Sequence, residues 1–165
     1  MSENMKVYLD IESDRVGNVC VIGMFLPSTG FVQFYGSEVT PKSVLDVLMK
    51  AETIVTFNGD NFDLPALNKF CAVDIGLTHR SIDLHKVKKS LGIKGGLKEL
   101  ERMYGIPRKT EGIDGYKAIM LWERYLKKGR LDALRLLLEY NKEDVLNLVS
   151  LERIFLDQME VAVNE

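Results

Sequence analysis

Residues 136–155 read LLLEYNKEDVLNLVSLERIF. The apolar positions of this run recur at helical spacing and predict one long amphipathic helix from near Leu131 to about Met159. On a helical wheel of about 100° per residue with Leu134 at zero, Leu137, Leu138, Val145, Leu148 and Leu151 form a stripe from roughly 260° round to 40°. Tyr140 falls at roughly 240° and Asp144 at roughly 280° on the same wheel. A phenol and a carboxylate, one turn apart, thus share the border of a face that has to be buried. An ionised carboxylate buried without a partner is costly enough that it takes up a proton instead. Its neighbours at i−4 and i+4 are Tyr140 and Leu148, while Lys142 and Arg135 point elsewhere. No lysine or arginine within the helix neutralises Asp144, so what does so has to come from the rest of the chain or from a ligand.

The rest of the sequence predicts what the helix packs on. MKVYLDIES alternates, with Val7, Leu9 and Ile11 on one face and Tyr8, Asp10 and Glu12 on the other. VGNVCVIGMFLP and GFVQFYG follow as strands around a PSTG hairpin turn, making an antiparallel meander. TPKSVLDVLMKA is a helix with a Thr cap and Pro at its first position. ETIVTF is a short buried strand running into the loop NGDN. FDLPALNKFCA is a helix, HRSIDL a further strand, and GGLKELERMYG and YKAIMLWERYLKKG are helices stopped by Gly105 and Gly129. This order indicates an α/β fold, a mixed sheet with helices on its faces. At 165 residues the chain is expected to be a single domain, 1–165, with a substantial core.

The composition is that of an ordinary soluble protein, 46% hydrophobic and 28% charged. The N-terminal run carries charges where a signal peptide would be apolar, and no segment approaches the roughly 20 apolar residues of a membrane span. Cys20 and Cys71 each sit in an apolar run and read as buried free thiols. A cytoplasmic protein without membrane contact is expected. Net charge is −2, but unevenly spread: residues 79–130 hold 14 Lys/Arg against 6 Asp/Glu, whereas residues 1–78 hold 5 against 10 and residues 131–165 hold 3 against 8. A basic middle flanked by acidic ends could present a polyanion-binding surface beside an acidic pocket; solvated helix faces would give the same count.

Asp10 and Glu12, two apart on a strand, leave the same face and repel unless something positive lies between them. A solvated strand face is the commoner fate of an isolated D-x-E. Asp63 follows a strand and a loop at the start of a helix, where Asp is a favoured N-cap. Yet the carboxyl ends of strands are where α/β sheets bind ligands, and Asn58, Asp60, Asn61 and Asp63 offer more polar groups there than a cap requires. One arrangement answers Asp10, Glu12, Asp63 and Asp144 together: convergence on divalent metal. Oxygen-only ligation suits a hard cation such as Mg²⁺ or Mn²⁺. Four carboxylates suffice for two ions about 3.5–4 Å apart, with Asp10 as the candidate bridge. A zinc cluster, a Ser-His-Asp set and a Walker-type glycine loop are all lacking in the sequence.

These residues resemble a known family. DIES (10–13), FNGDNFD (57–63) and YNKED (140–144) look like the three motifs of the DnaQ-like 3′–5′ exonucleases of the ribonuclease H-like superfamily, in the order that marks the DEDDy branch. The middle of the chain resembles a subgroup of predicted exonucleases, so the resemblance covers nearly its whole length. It implies a ribonuclease H-like fold: a mixed five-stranded sheet, an antiparallel three-stranded meander plus parallel strands, with helices on both faces. It implies that Asp10, Glu12, Asp63 and Asp144 bind two Mg²⁺ or Mn²⁺ and that Tyr140, the fifth catalytic residue, hydrogen-bonds the attacking water. The substrate would be the 3′ end of single-stranded DNA or RNA, released as nucleoside 5′-monophosphates, and a homodimer or a partner protein could add grip on the strand. Ser13 and Asn58 match substrate-binding positions, and Asp83 an acid that stands behind the ligands. Phe62 is expected in the core beneath Asp63, with packing against a base as the alternative, and Trp122 in the core; Lys86, Lys88, Lys89, Lys94, Arg108 and Lys109 are candidate phosphate contacts. Two other readings share the motifs: a ribonuclease H-type endonuclease, which has no use for Tyr140, and a non-catalytic nucleic-acid-binding module on the same fold.

Overall fold

The computed structural model describes residues 5–165, so residues 1–4 of the expected domain and of the N-terminal run read for a signal peptide lie outside the described residues. Five strands form one sheet in the order β3-β2-β1-β4-β5. β1 (Lys6–Ser13), β2 (Val19–Leu26) and β3 (Gly30–Tyr35) are the antiparallel meander, turning at Pro27, Ser28 and Thr29. β4 (Thr53–Thr56) and β5 (Arg80–Asp83) add in parallel on the other side of β1. The mixed five-stranded sheet expected from the sequence is the one observed.

Helices cover both faces. On one, α1 (Pro41–Leu48) and α2 (Asp63–Cys71) pack Val44, Leu48 and Leu67 against Val7, Leu9, Ile22, Met24 and Ile54. α1 starts as its sequence dictates: Thr40 Oγ1 accepts the Ser43 N–H, and Pro41 fills the first position, where no donor is needed. On the other face, α3 (Leu84–Ser90), α4 (Leu97–Tyr104) and α6 (Leu131–Asn164) enclose Tyr8 and Val55 with Leu84, Leu100, Val145, Leu148 and Phe155. α5 (Gly115–Lys128) packs Trp122 and Leu121 on the first turns of α6 and on Val21 of β2. Both cysteines are buried free thiols. No helix among the described residues is long and apolar enough to cross a membrane.

Two details differ from the sequence reading. α3 starts immediately after β5, with Asp83 capping it through the His85 N–H; its short, lysine-rich run carries too little apolar periodicity to be read as a helix. α6 continues past Met159 to Asn164; it starts from Arg130, straight after Gly129 closes α5 in the left-handed conformation (φ 62°) as expected.

Polar contacts fix where α6 lies along β1. Buried Glu152 accepts hydrogen bonds from Tyr8 Oη at 2.6 Å and Lys6 Nζ at 3.1 Å. About three turns earlier on the helix, Asn141 Nδ2 donates to the Asp10 carbonyl and to Asp10 Oδ2, both at 3.1 Å. Between these pins the apolar stripe settles on the sheet, and Asp144 is delivered to the face that carries Asp10 and Glu12.

Candidate metal centre

β1 supplies two acids. Strand alternation puts Val7 and Leu9 under α1 and α2, and Tyr8, Asp10 and Glu12 towards α6. β4 pairs with β1 only from Lys6 to Tyr8. Asp10 and Glu12 therefore stand beyond the carboxyl end of the parallel strands, where α/β sheets open to ligands. One carboxylate oxygen from each of Asp10, Glu12 and Asp144 lies within 4.8 Å of the others. The sequence separation of these three acids is closed by the α6–β1 contact.

Asp63 arrives from the loop after β4. Phe62 occupies the N-cap position without a capping hydrogen bond, and Asp63 is the first residue of α2. Its Oδ2 accepts the Ile11 N–H at 3.1 Å, between the two acids of β1. It stays outside the 4.8 Å group but close enough for its charge to bear on Asp10 and Glu12. The loop is rigid for identifiable reasons. Asp83 accepts the N–H groups of Asn58 at 2.7 Å and Asp60 at 3.3 Å. Gly59 lies so close to Thr56 that a Cβ there would come within 2.2 Å of Thr56 Oγ1. Asn58 takes a left-handed conformation, φ 63°. Asp83, expected behind the ligands, does hold the loop that carries Asp63.

Electrostatics follow from crowding acids in a half-dry site. Burial, then Glu12, Asp144 and Asp63, push the Asp10 carboxyl well above the usual range. Glu12 is raised to about 8, first by burial and then by Asp144. Asp63 is raised to about 7 by burial, against the pull of the Ile11 amide. Asp144 is raised by burial although Arg108 and Lys98 oppose the shift.

The sequence reading gives Asp144 a divalent cation as its partner; the structure adds an arginine. Arg108, in the loop after α4, hydrogen-bonds Asp144 through Nη2 and grips Glu101 through Nε (3.1 Å to each oxygen) and Nη2 (2.9 Å). Its side chain is buried. Thr110 and Asn147 complete the network, and Glu143 ties the loop to α6 by accepting the N–H groups of Lys109 at 2.6 Å and Thr110 at 2.9 Å. Arg108 is thus corrected from an exposed phosphate contact to a buried counter-ion. Lys88 is corrected likewise: it is buried and donates to the Gly95 carbonyl at 2.6 Å. Lys86 is engaged by Asp60 at 2.5 Å.

Tyr140 lies one turn before Asp144 and is buried. Lys98 Nζ donates to its Oη at 2.9 Å and sits 4.8 Å from the ring centre; the Arg108 guanidinium is 5.5 Å from it. An ammonium can only donate, so the phenol oxygen is the acceptor there and its own proton is free to be given elsewhere. Burial and the neighbouring acids push the phenol far above its ordinary pKa. It stays protonated at neutral pH, suited to orienting a water and unsuited to abstracting a proton.

Ser13 ends β1 at a register irregularity, and Asn58 Oδ1 accepts from Asn61 Nδ2 at 3.0 Å. Phe62, expected in the core, is 65% exposed beside Asp63; as a cap residue its side chain leaves the packed face of α2. Trp122 is in the core as expected. Sequence reasoning missed Asn141, Lys98, Glu101 and Glu143. Asn141 left a readable signal, since at roughly 340° on the α6 wheel it lies deeper in the apolar stripe than Tyr140 or Asp144. Lys98 and Glu101 left none, because their roles depend on how α4 docks.

Converging, mutually repelling oxygen donors fit a hard divalent cation and no softer metal. Comparison with known proteins agrees. The family model of the RNase H superfamily matches residues 7–155. The curated proteins contain no match. Among solved structures, the family B DNA polymerase from the hyperthermophilic archaeon Pyrobaculum calidifontis superposes with a TM-score of 0.64 at 17% identity, covering 88% of this chain and 24% of the polymerase. At that identity the likeness is one of fold, and the chain spans about a quarter of the polymerase's length. The β3-β2-β1-β4-β5 sheet, the acids at its open end and the match over nearly the whole sequence lead to one assignment: the chain belongs to the RNase H superfamily.

Proposed function

We propose that the chain is a metal-dependent 3′–5′ exonuclease that hydrolyses single-stranded DNA or RNA to nucleoside 5′-monophosphates. The observation that carries this reading is the approach of Asp10, Glu12 and Asp144 within 4.8 Å of one another, with Tyr140 one turn from Asp144. Asp10, Glu12, Asp63 and Asp144 would hold two Mg²⁺ or Mn²⁺. When bound, such ions make water nucleophilic near neutral pH and stabilise the departing oxygen.

The chain's own groups do the rest. Tyr140, fixed by Lys98 and kept protonated, donates its hydroxyl proton and so orients the attacking water. Asn58, held by Asp83, and Ser13 at the end of β1 face the substrate strand, and exposed Phe62 offers a ring on which a base can stack. In the reaction, water adds to the terminal phosphorus, the bond to the penultimate 3′ oxygen breaks, and that oxygen takes up a proton. Tyr140 favours this reading over an endonuclease, which has no use for a phenol there. The match to a DNA polymerase suits a nucleic-acid substrate.

Incubation of 5′-labelled single-stranded DNA and RNA with Mn²⁺ tests the proposal. A ladder shortening from the 3′ end, abolished by Asp144→Asn, is expected. Cutting that persists on a blocked 3′ end would replace the reading with an endonuclease. Mn²⁺ should also raise the melting temperature of the wild type and not of Asp144→Asn, because ions that bind only the folded state stabilise it.

A further inference from the structure

Asn141 is fully buried, yet its side chain spans from α6 to the backbone and carboxylate of Asp10. Its Oδ1 accepts from Gln33 Nε2 at 2.9 Å, and the same Gln33 nitrogen donates to the Leu138 carbonyl at 2.9 Å. A backbone carbonyl can only accept, so Leu138 fixes which end of the Gln33 amide is nitrogen. That in turn fixes the Asn141 amide: oxygen towards Gln33, nitrogen towards Asp10. The relay has one allowed direction, and it ends on a carboxylate.

The strand beneath is shaped to seat it. Gly23 is the cross-strand partner of Asp10 in the middle of β2, where glycine weakens a sheet. A Cβ on Gly23 would come within 2.4 Å of Asn141 Oδ1 and 3.0 Å of Val145 Cγ2. The close approach of Asn141 explains the glycine.

We infer that Asn141, seated on Gly23 and polarised by Gln33, is a positioning residue that sets the orientation of the Asp10 carboxylate for metal. This rests on the proposed function and adds to it three residues that touch neither substrate nor cation. Asn141 aims Oδ2 by holding it from the side, while its second bond to the Asp10 carbonyl locks helix and strand together. The brace is neutral, so it restrains the carboxylate without competing with a cation for its charge.

Asn141→Leu keeps the number and branching of the side-chain heavy atoms and removes the nitrogen that donates both bonds to Asp10. Titration calorimetry with Mn²⁺ alone on the folded, full-length chain should show the dissociation constant rising by about tenfold to a hundredfold, the range for removing a partner of a metal ligand. Gln33→Leu should shift it in the same direction by less, and should add nothing in the Asn141→Leu background, because Gln33 acts through Asn141. Gly23→Ala should lose both melting temperature and Mn²⁺ affinity. Shortening the neighbour in Gly23→Ala/Asn141→Ser should recover the melting temperature while affinity stays low. A purely structural role would move melting temperatures and leave Mn²⁺ affinity of the folded variants at the wild-type value; that result overturns the inference and leaves the exonuclease reading standing. A wild-type chain that neither binds Mn²⁺ nor shortens oligonucleotides removes both.

Discussion

Two of the three acids that α6 and β1 bring together are held by opposite devices. Asp10 is braced by neutral amides, Asn141 backed by Gln33, built on the sheet and its covering helix. Asp144 is clamped by a charge, Arg108, which a loop inserts and Glu101 anchors. A neutral brace directs a carboxylate and leaves its charge for a cation. An ionic clamp supplies charge, and it lets the acids assemble before any metal arrives at the cost of opposing metal at that end. The crowding shows the difference: Asp10 is raised well above its ordinary range by burial and three acids, whereas at Asp144 Arg108 and Lys98 offset part of the rise.

The sharpest way to break the comparison is to remove the clamp. Arg108→Leu leaves Glu101, 2% exposed, and Asp144, 6% exposed, buried without their shared cation. Breaking a buried pair from one side costs about 3–5 kcal/mol, and urea denaturation in the presence of a chelator should read a loss of that size. Glu101→Leu/Arg108→Leu should be less destabilised than Arg108→Leu alone, since one of the two stranded carboxylates leaves with its arginine. A double variant worse than the single would show that Arg108 is not the counter-ion. Removing the neutral brace should cost less: Asn141→Leu strands no charge, and about 1–3 kcal/mol is expected by the same measurement.

How much of this was legible follows the same division. Alternation in MKVYLDIES put Asp10 and Glu12 on one face, and the α6 wheel put Asp144 at the border of the buried stripe; both are periodicities that local geometry imposes. The neutral brace was half visible, as an asparagine deep in the stripe and a glycine in mid-strand. The ionic clamp was invisible. Arg108 sits in an irregular loop after Pro107, with no period to say which way it points, and its burial depends on Glu143 tying that loop to α6. Phe62 was misplaced for a related reason, because a cap residue does not follow the wheel of the helix it begins.

The next effect is a slope rather than a step, and it belongs to the acids without an arginine. Glu12 moves from 4.5 to about 8 on folding and Asp63 from 3.8 to about 7, so the folded state binds protons more tightly than the unfolded one. Their contribution is therefore fully present below the unfolded pKa values and is lost as pH rises through about 7 to 8. Metal-free protein should lose stability across that window, measured by denaturant midpoints in a chelator. Saturating Mg²⁺ should stabilise more at the alkaline end, because protons and the cation compete for the same oxygens. Glu12→Gln should flatten the chelated slope; an unchanged slope would mean that the acids are not crowded as described.

The smallest expected effect tests a cation outside both devices, Lys98, which contacts Tyr140 and whose charge reaches Glu12 and Asp144. Lys98→Met keeps the apolar stem and removes the ammonium. The side chain is half-buried, and loss of its contact with the ring should cost about 0.5–1 kcal/mol of stability. The effect on turnover should be clearer than the effect on stability, because without Lys98 the phenol can turn its proton away from the site. kcat should fall with KM nearly unchanged, and by less than in Tyr140→Phe. In a Tyr140→Phe background the same substitution should cost almost nothing more, since there is no hydroxyl left to hold. Equal losses in both backgrounds would mean that Lys98 acts on the carboxylates or the substrate directly, and Tyr140 would then owe its orientation to burial alone.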